Sequence, residues 1–126
     1  MKNIIIKEDT NTKYFPLVDF DAQSEICEIS GESYMEDCQT FYDALMDWLN
    51  EYFQTSKRLT FVFKLTYWNT SSSKCIIEML HLIKQYEKEG NNLIIKWYCD
   101  KEDIDVIKEI SDFKTLSGLN IEIINS

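Results

Sequence analysis

The run from Leu59 to Tyr67 alternates apolar and more polar side chains, and a helical pattern follows it almost at once. Alternation places every second side chain on the same face of a strand, so one face of this run is predicted to be buried. That face carries Leu59, Phe61, Phe63, Leu65 and Tyr67. The helix is predicted to begin near Ser72 and to end near Glu89. A strand followed directly by a helix is typical of parallel sheets joined by helical crossovers.

From residue 34 to the end of the chain, predicted helices and strands alternate in the order α-β-α-β-α-β. A first helix is predicted to begin at about Tyr34, because Ser33 and Glu36 have the spacing of a capping box. Asp100 and Asp103 are predicted to cap a third helix, whose inward residues include Ile104. The intervening and final strands are predicted over residues 92–99 and 119–124.

Short β-strands are predicted in the N-terminal thirty residues, over residues 3–6, 14–20 and 26–29, with turns over residues 7–13 and 21–25. Pro16 favours an edge position for the second of them. The 126 residues therefore predict one α/β domain, residues 1–126, with a mixed sheet, antiparallel N-terminal strands and three helices.

The net charge of −9 argues against nucleic-acid binding, which needs a basic surface. Residues 1–56 contain twelve acidic and three basic residues, whereas acids and bases balance in residues 57–126. In the first helix Asp43, Asp47 and Glu51 recur at four-residue steps. Like charges at this spacing repel one another, so the stripe is either a solvated acidic face or a docking face for a basic partner.

Catalytic and metal-binding patterns are scarce in this sequence. The one histidine, His81, has no partner for hydrolase chemistry, and there is neither a P-loop nor a Gly-x-Ser-x-Gly motif. Metal ligands are not clustered, and no cofactor is expected. Four widely spaced cysteines (Cys27, Cys38, Cys75 and Cys99) predict free thiols in a reducing compartment. With no signal or membrane-spanning segment, the chain is expected to be a cytoplasmic, non-enzymatic protein without membrane insertion.

Between the central strand and its helix lies a hydroxyl-rich junction, Asn69-Thr70-Ser71-Ser72-Ser73-Lys74. Serine is a common helix-capping residue, so one interpretation of the junction is an ordinary helix cap made of serines. The other is a reversible phosphorylation site, because unpaired N–H groups and the helix dipole favour a phosphate at a helix N-terminus.

Several motifs together resemble those of the SiaC family of regulatory phosphoproteins. They are Ile29-Ser30-Gly31-Glu32-Ser33, Phe41-Tyr42, Trp48-Leu49-Asn50-Glu51-Tyr52, Tyr67-Trp68-Asn69-Thr70-Ser71-Ser72-Ser73-Lys74 and Trp97-Tyr98. The resemblance extends over about residues 3–123, and its most specific part is the Asn-Thr-Ser-Ser-x-Lys block.

The resemblance implies a STAS-like domain, similar to anti-sigma-factor antagonists, with Thr70 as the phosphoacceptor. Asn69, Ser71, Ser72, Ser73 and Lys74 would then surround the phosphate at the helix N-terminus and contact partners. The implied partners are a SiaB-type kinase, a SiaA-type PP2C-like phosphatase and a SiaD-type diguanylate cyclase. The unphosphorylated form would activate the cyclase and so regulate cyclic di-GMP and biofilm formation.

Two functional hypotheses follow. The first is the phosphorylation-switched partner protein, docking through residues 69–74 and the acidic stripe. The second is a small-ligand sensor, in which four aromatic residues line one pocket: Tyr67, Trp68, Trp97 and Tyr98.

Overall fold

A computed structural model describes residues 1–7 and 15–126, which contain six strands and three helices. In chain order the elements are β1 (Ile4–Ile6), β2 (Leu17–Asp21), β3 (Ile26–Ser33), α1 (Cys38–Tyr52), β4 (Arg58–Trp68), α2 (Thr70–Lys88), β5 (Asn92–Cys99), α3 (Ile104–Ser117) and β6 (Ile121–Asn125). Most of the predicted turn over residues 7–13, and Tyr14 in the predicted second strand, lie outside the described residues.

The six strands form one mixed sheet in the order β1-β2-β3-β4-β5-β6. Strands β1, β2 and β3 pair antiparallel, whereas β3, β4, β5 and β6 pair parallel. Each parallel pair is joined by one helix, and right-handed crossovers between consecutive neighbours place the three helices on one face of the sheet. The predicted mixed α/β sheet with antiparallel N-terminal strands and three helices is confirmed.

Aromatic side chains fill the centre of the core between the sheet and the helices. Phe63 of β4 stacks on Trp97 of β5, with ring centroids 4.3 Å apart and planes 10° apart. Phe113 of α3 packs on the same tryptophan at 5.7 Å. The opposite face of β4 carries Thr60 and Lys64, which are more accessible. The sequence pattern therefore assigned most of this strand to the correct face.

The alternation fails at the end of β4, where Tyr67 is 53% exposed and Trp68 only 7%. The cause is an irregularity in the pairing with β3. Gly31 is paired with Leu65 but Glu32 with Tyr67, so that Thr66 has no partner in the register. An extra residue in one strand shifts the side-chain alternation by one position. The prediction that Tyr67 faces the core was wrong for this reason, and Trp68 takes its place.

Helix α1 begins four residues later than predicted, at Cys38. Its cap is Asp37, whose Oδ1 accepts a hydrogen bond from the Thr40 backbone N–H at 3.2 Å. Bonds from the Thr40 hydroxyl and N–H lower the pKa of the Asp37 carboxyl. The predicted Ser33–Glu36 capping box is wrong, because pairing with β4 extends β3 to Ser33.

Helix α3 begins after Asp103, whose side chain accepts from the Val106 N–H, and ends at Gly118 in the left-handed conformation. Its buried side chains are Ile110, Phe113 and Ser117. Ile104, predicted to face inward, is 78% exposed, because it occupies the first turn, ahead of the part of the helix that packs on the core.

Candidate functional site

The hydroxyl-rich junction is the first turn of α2. Asn69 is extended, with φ −88° and ψ 177°, and its Oδ1 accepts a hydrogen bond from the Ser72 N–H at 2.9 Å. The helix therefore begins at Thr70, two residues before the predicted start near Ser72. Asn69 is the N-cap residue because its side-chain oxygen reaches a free backbone N–H of the first turn. The junction does cap the helix, but the capping residue is Asn69 and not one of the serines.

Replacing Asn69 with alanine is expected to destabilise the protein by about 1 kcal/mol, the usual cost of losing a helix N-cap. Asn69→Asp is the matched control, because an aspartate oxygen can accept the same bond and should preserve most of the stability. Urea denaturation of the three proteins measures the difference. Equal stability of Asn69→Ala and the wild type would show that the cap contributes nothing.

The hydroxyl residues of this turn have different surroundings. Ser72 is completely buried, and its Oγ accepts a hydrogen bond from the Ser33 Oγ at 2.8 Å. Ser33 lies 2.8 Å from the Tyr42 hydroxyl, which joins α1 to the same network. Burial raises the pKa of the Tyr42 phenol. The sequence predicted that Ser72 contacts partners. Because its buried hydroxyl instead joins β3 to α2, Ser72 is not available for such a contact.

Thr70 and Ser71 are exposed, in contrast to Ser72. Thr70 occupies the first helical position, where the backbone N–H groups have no acceptor within the helix. No hydrogen bond of the Thr70 hydroxyl is found within residues 1–7 and 15–126. Ser73 is partly buried and its hydroxyl is bonded, whereas Lys74 is exposed. The accessible hydroxyls of the turn are thus those of Thr70 and Ser71.

Thr70 lines a shallow groove of about 460 Å³ between the end of β4 and helix α3. The other residues lining the groove are Tyr67, Trp68, Asn69, Ser73 and Glu109. Tyr67 is held by an edge-to-face contact with Tyr34, at a centroid distance of 5.4 Å. Glu109 Oε1 accepts hydrogen bonds from Trp68 Nε1 and from Ser73 Oγ, both at 2.6 Å.

Sequence reasoning missed Glu109 entirely. The residue lies within a predicted helix next to Ile110, about forty positions from Thr70, and a single glutamate on a helix carries no signal. Only the strand order places α3 beside the start of α2. The Ser33–Tyr42 part of the buried network was missed for a similar reason, since Ser33 had been assigned to a helix cap.

The four aromatic residues predicted to line a ligand pocket do not all line one cavity, although Tyr67 and Trp68 both line the groove. Trp97 is fully buried in the core, and Trp68 is nearly so. Tyr98 lies on the opposite face of the sheet, where the Lys64 Nζ is 5.5 Å from its ring centroid. Tyr67 alone is largely exposed. Consecutive residues on a strand point to opposite faces, so an aromatic pair such as Trp97-Tyr98 cannot line one cavity.

The acidic stripe lies on the solvent side of α1, where Asp43, Asp47 and Glu51 are all exposed. Gln39 donates a hydrogen bond to Asp43 at 2.8 Å and also contacts Glu78 of α2 at 3.3 Å. His81 is exposed on α2. No group of three or more His, Cys, Asp or Glu side chains within the described ranges could hold a metal ion.

All four cysteines are free thiols and are buried. Cys38 Sγ and Cys75 Sγ lie 3.0 Å apart between α1 and α2. Burial, with the neighbouring Cys38, raises the pKa of the Cys75 thiol to about 12. In the described part of the chain, no helix is both long and apolar enough to cross a membrane.

Comparison with known protein families assigns the chain to one of them. The model of the SiaC family, described as SiaC family regulatory phosphoprotein, matches residues 9–126, nearly the whole chain. The chain belongs to the SiaC family. The resemblance seen in the sequence motifs is thereby confirmed.

Similar proteins include several from Pseudomonas aeruginosa. An uncharacterised protein of strain UCBPP-PA14 is 25% identical over 104 residues, which is 82% of each chain. The crystal structure of apo-SiaC from P. aeruginosa has a TM-score of 0.87 at 22% identity, covering 98% of this chain and 99% of that one. A second SiaC structure has a TM-score of 0.88 at 21% identity, covering both chains completely.

A further structure contains the diguanylate cyclase SiaD in complex with its activator SiaC from P. aeruginosa. The matched chain has a TM-score of 0.84 at 22% identity and covers 91% of this chain and 95% of that one. At sequence identities of 21–22%, these structural similarities establish the fold alone. The chain has the SiaC fold over nearly its full length.

Proposed function

We propose that this protein is a non-enzymatic signalling protein whose binding to a diguanylate cyclase is switched by phosphorylation of Thr70. The main support is the position of Thr70. It is an exposed hydroxyl residue at the first position of α2, beside unpaired backbone N–H groups. Membership of a family of regulatory phosphoproteins supports a phosphorylated residue in this chain.

The choice of Thr70 among the hydroxyls of the turn follows from accessibility. A kinase must bring its ATP γ-phosphate in line with the acceptor oxygen, which requires an open approach. Ser72 is sealed in the core, and the Ser73 hydroxyl is engaged by Glu109. Thr70 also faces the groove, whereas Ser71 does not line it. Thr70 is therefore the preferred acceptor, and Ser71 is the competing residue.

Phosphorylation adds about −1.5 to −2 charges at pH 7, at a position where the helix dipole stabilises them by only about 0.3–1 kcal/mol. Such a contribution is too small to refold the domain. The modification acts instead on the surface around Asn69, Thr70, Ser71 and Lys74, where a partner would have to accommodate the phosphate. In this proposal the unphosphorylated form is the one that binds, as the resemblance to the SiaC family implies.

The proposed partners are a SiaB-type kinase, a SiaA-type PP2C-like phosphatase and a SiaD-type diguanylate cyclase. The cyclase is supported by the complex of P. aeruginosa SiaD with its activator SiaC, whose fold this chain shares. Asp43, Asp47 and Glu51 form an exposed negative surface on α1 that is a second proposed docking area for a partner. Cyclic di-GMP synthesis, and with it biofilm formation, would follow the phosphorylation state.

The test is to incubate the protein with its SiaB-type kinase and ATP and to locate the phosphate by peptide mass spectrometry. One phosphate on Thr70, removed by the SiaA-type phosphatase, is the expected result. Phosphate found on Ser71 or elsewhere, with none on Thr70, would refute the assignment of the acceptor.

A further inference from the structure

Glu109 makes two short contacts with the elements on either side of the phosphoacceptor. Its Oε1 accepts a hydrogen bond from the Trp68 indole N–H at the end of β4 and another from the Ser73 hydroxyl in α2. Both distances are 2.6 Å, as expected for bonds to a charged acceptor. This single carboxylate therefore ties α3 to both sides of the junction that contains Thr70.

Among the described residues that line the groove, Glu109 alone carries a formal charge, and it is negative. Ser73 is three positions after Thr70, so their side chains are neighbours on the helix surface. A phosphate on Thr70 would consequently lie within one turn of the Ser73 hydroxyl and of the carboxylate bonded to it. Lys74, the nearest lysine along the helix, does not line the groove.

Two physical effects then act on Glu109. The phosphate repels the carboxylate, because like charges at close range disfavour each other. Its oxygens also compete for the Ser73 hydroxyl, since a phosphate is a strong hydrogen-bond acceptor. Both effects favour movement of Glu109 away from the groove and loss of the bond to the Trp68 indole.

We infer that Glu109 is the residue through which phosphorylation of Thr70 is transmitted from α2 to α3. This inference rests on the proposed function, because it concerns what the phosphate does once it is present. Glu109 acts here as a positioning residue that holds α3 against the unphosphorylated junction. The surface presented to a partner would thus include α3 around Glu109, and not only residues 69–74.

The experiment uses the full chain with phosphothreonine incorporated at position 70 during translation, so that no kinase is needed. The indole N–H resonance of Trp68, assigned with Trp68→Phe, is compared in nitrogen-15 correlation spectra of the modified and unmodified proteins. A bond to a carboxylate places this resonance downfield, and phosphorylation is expected to move it upfield. In Glu109→Gln, which removes the charge and keeps the shape, the displacement should be largely lost.

Asp112→Asn is the matched control, because it removes a carboxylate from an exposed position on the same helix, outside the groove. It should show the full wild-type displacement. A Trp68 resonance that phosphorylation leaves unchanged in the wild type, or moves equally in Glu109→Gln, would overturn the inference. An unchanged wild-type resonance overturns the inference even if the variant does not fold. Failure of the kinase to modify Thr70 would contradict the proposed function without affecting this measurement.

Discussion

Replacing Thr70 with alanine is expected to abolish phosphorylation by the partner kinase while the fold stays intact. Thr70 is exposed, and alanine is the residue with the highest helix propensity, so the free energy of unfolding should change by no more than about 0.5 kcal/mol. Intact-mass measurements after incubation with kinase and ATP give the phosphate content. Ser71→Ala, at the neighbouring exposed position, is the matched control and should be phosphorylated like the wild type.

The same position should control cyclase binding. Thr70→Ala is expected to bind the cyclase and keep it active in the presence of kinase and ATP, because the switch cannot be turned off. Thr70→Glu places a permanent negative charge at the junction and should weaken binding by at least ~10-fold, equivalent to about 1.4 kcal/mol. Titration calorimetry measures both affinities. Unchanged affinity of Thr70→Glu, together with unchanged affinity of the kinase-phosphorylated wild type, would contradict control through this residue.

Replacing Trp68 with alanine is expected to cost about 3–5 kcal/mol of stability, as for other buried aromatic residues. The side chain packs against Trp97 and Phe113, and its indole N–H donates to Glu109. The substitution would leave a cavity and would remove one of the two hydrogen-bond donors to the Glu109 carboxylate. Because domains are stable by only about 5–15 kcal/mol, this is a large fraction of the total.

The adjacent substitution, Tyr67→Ala, should cost less than about 1 kcal/mol, since Tyr67 is exposed and its main contact is with Tyr34. Guanidinium denaturation monitored by circular dichroism compares the two variants. The uninterrupted alternation of the sequence predicts the opposite ranking. If Tyr67→Ala were the more destabilising substitution, the β3–β4 pairing irregularity at Thr66 would not exist in solution.

Much of the fold could be predicted from local patterns. The strands of the parallel half are long, apolar and separated by helical periodicity, and their order along the chain is also their order in the sheet. Asp103 was recognisable as a helix cap because capping is a property of a few consecutive residues, whereas the cap of α2 was expected among the serines and is Asn69. Ser33 misled the same reasoning, since a serine that precedes a helix by a few residues can instead end a strand.

The sequence by itself determined the α/β class, the antiparallel N-terminal segment and the hydroxyl-rich turn at the start of α2. It did so because alternation, helical periodicity and capping depend on neighbours within one or two turns. Only the tertiary structure decided which hydroxyls are accessible, which of Tyr67 and Trp68 is buried, and which carboxylate lies beside Thr70. These depend on the pairing of β3 with β4 and on the packing of α3 against α2. They join residues about forty positions apart, and no local pattern encodes such contacts.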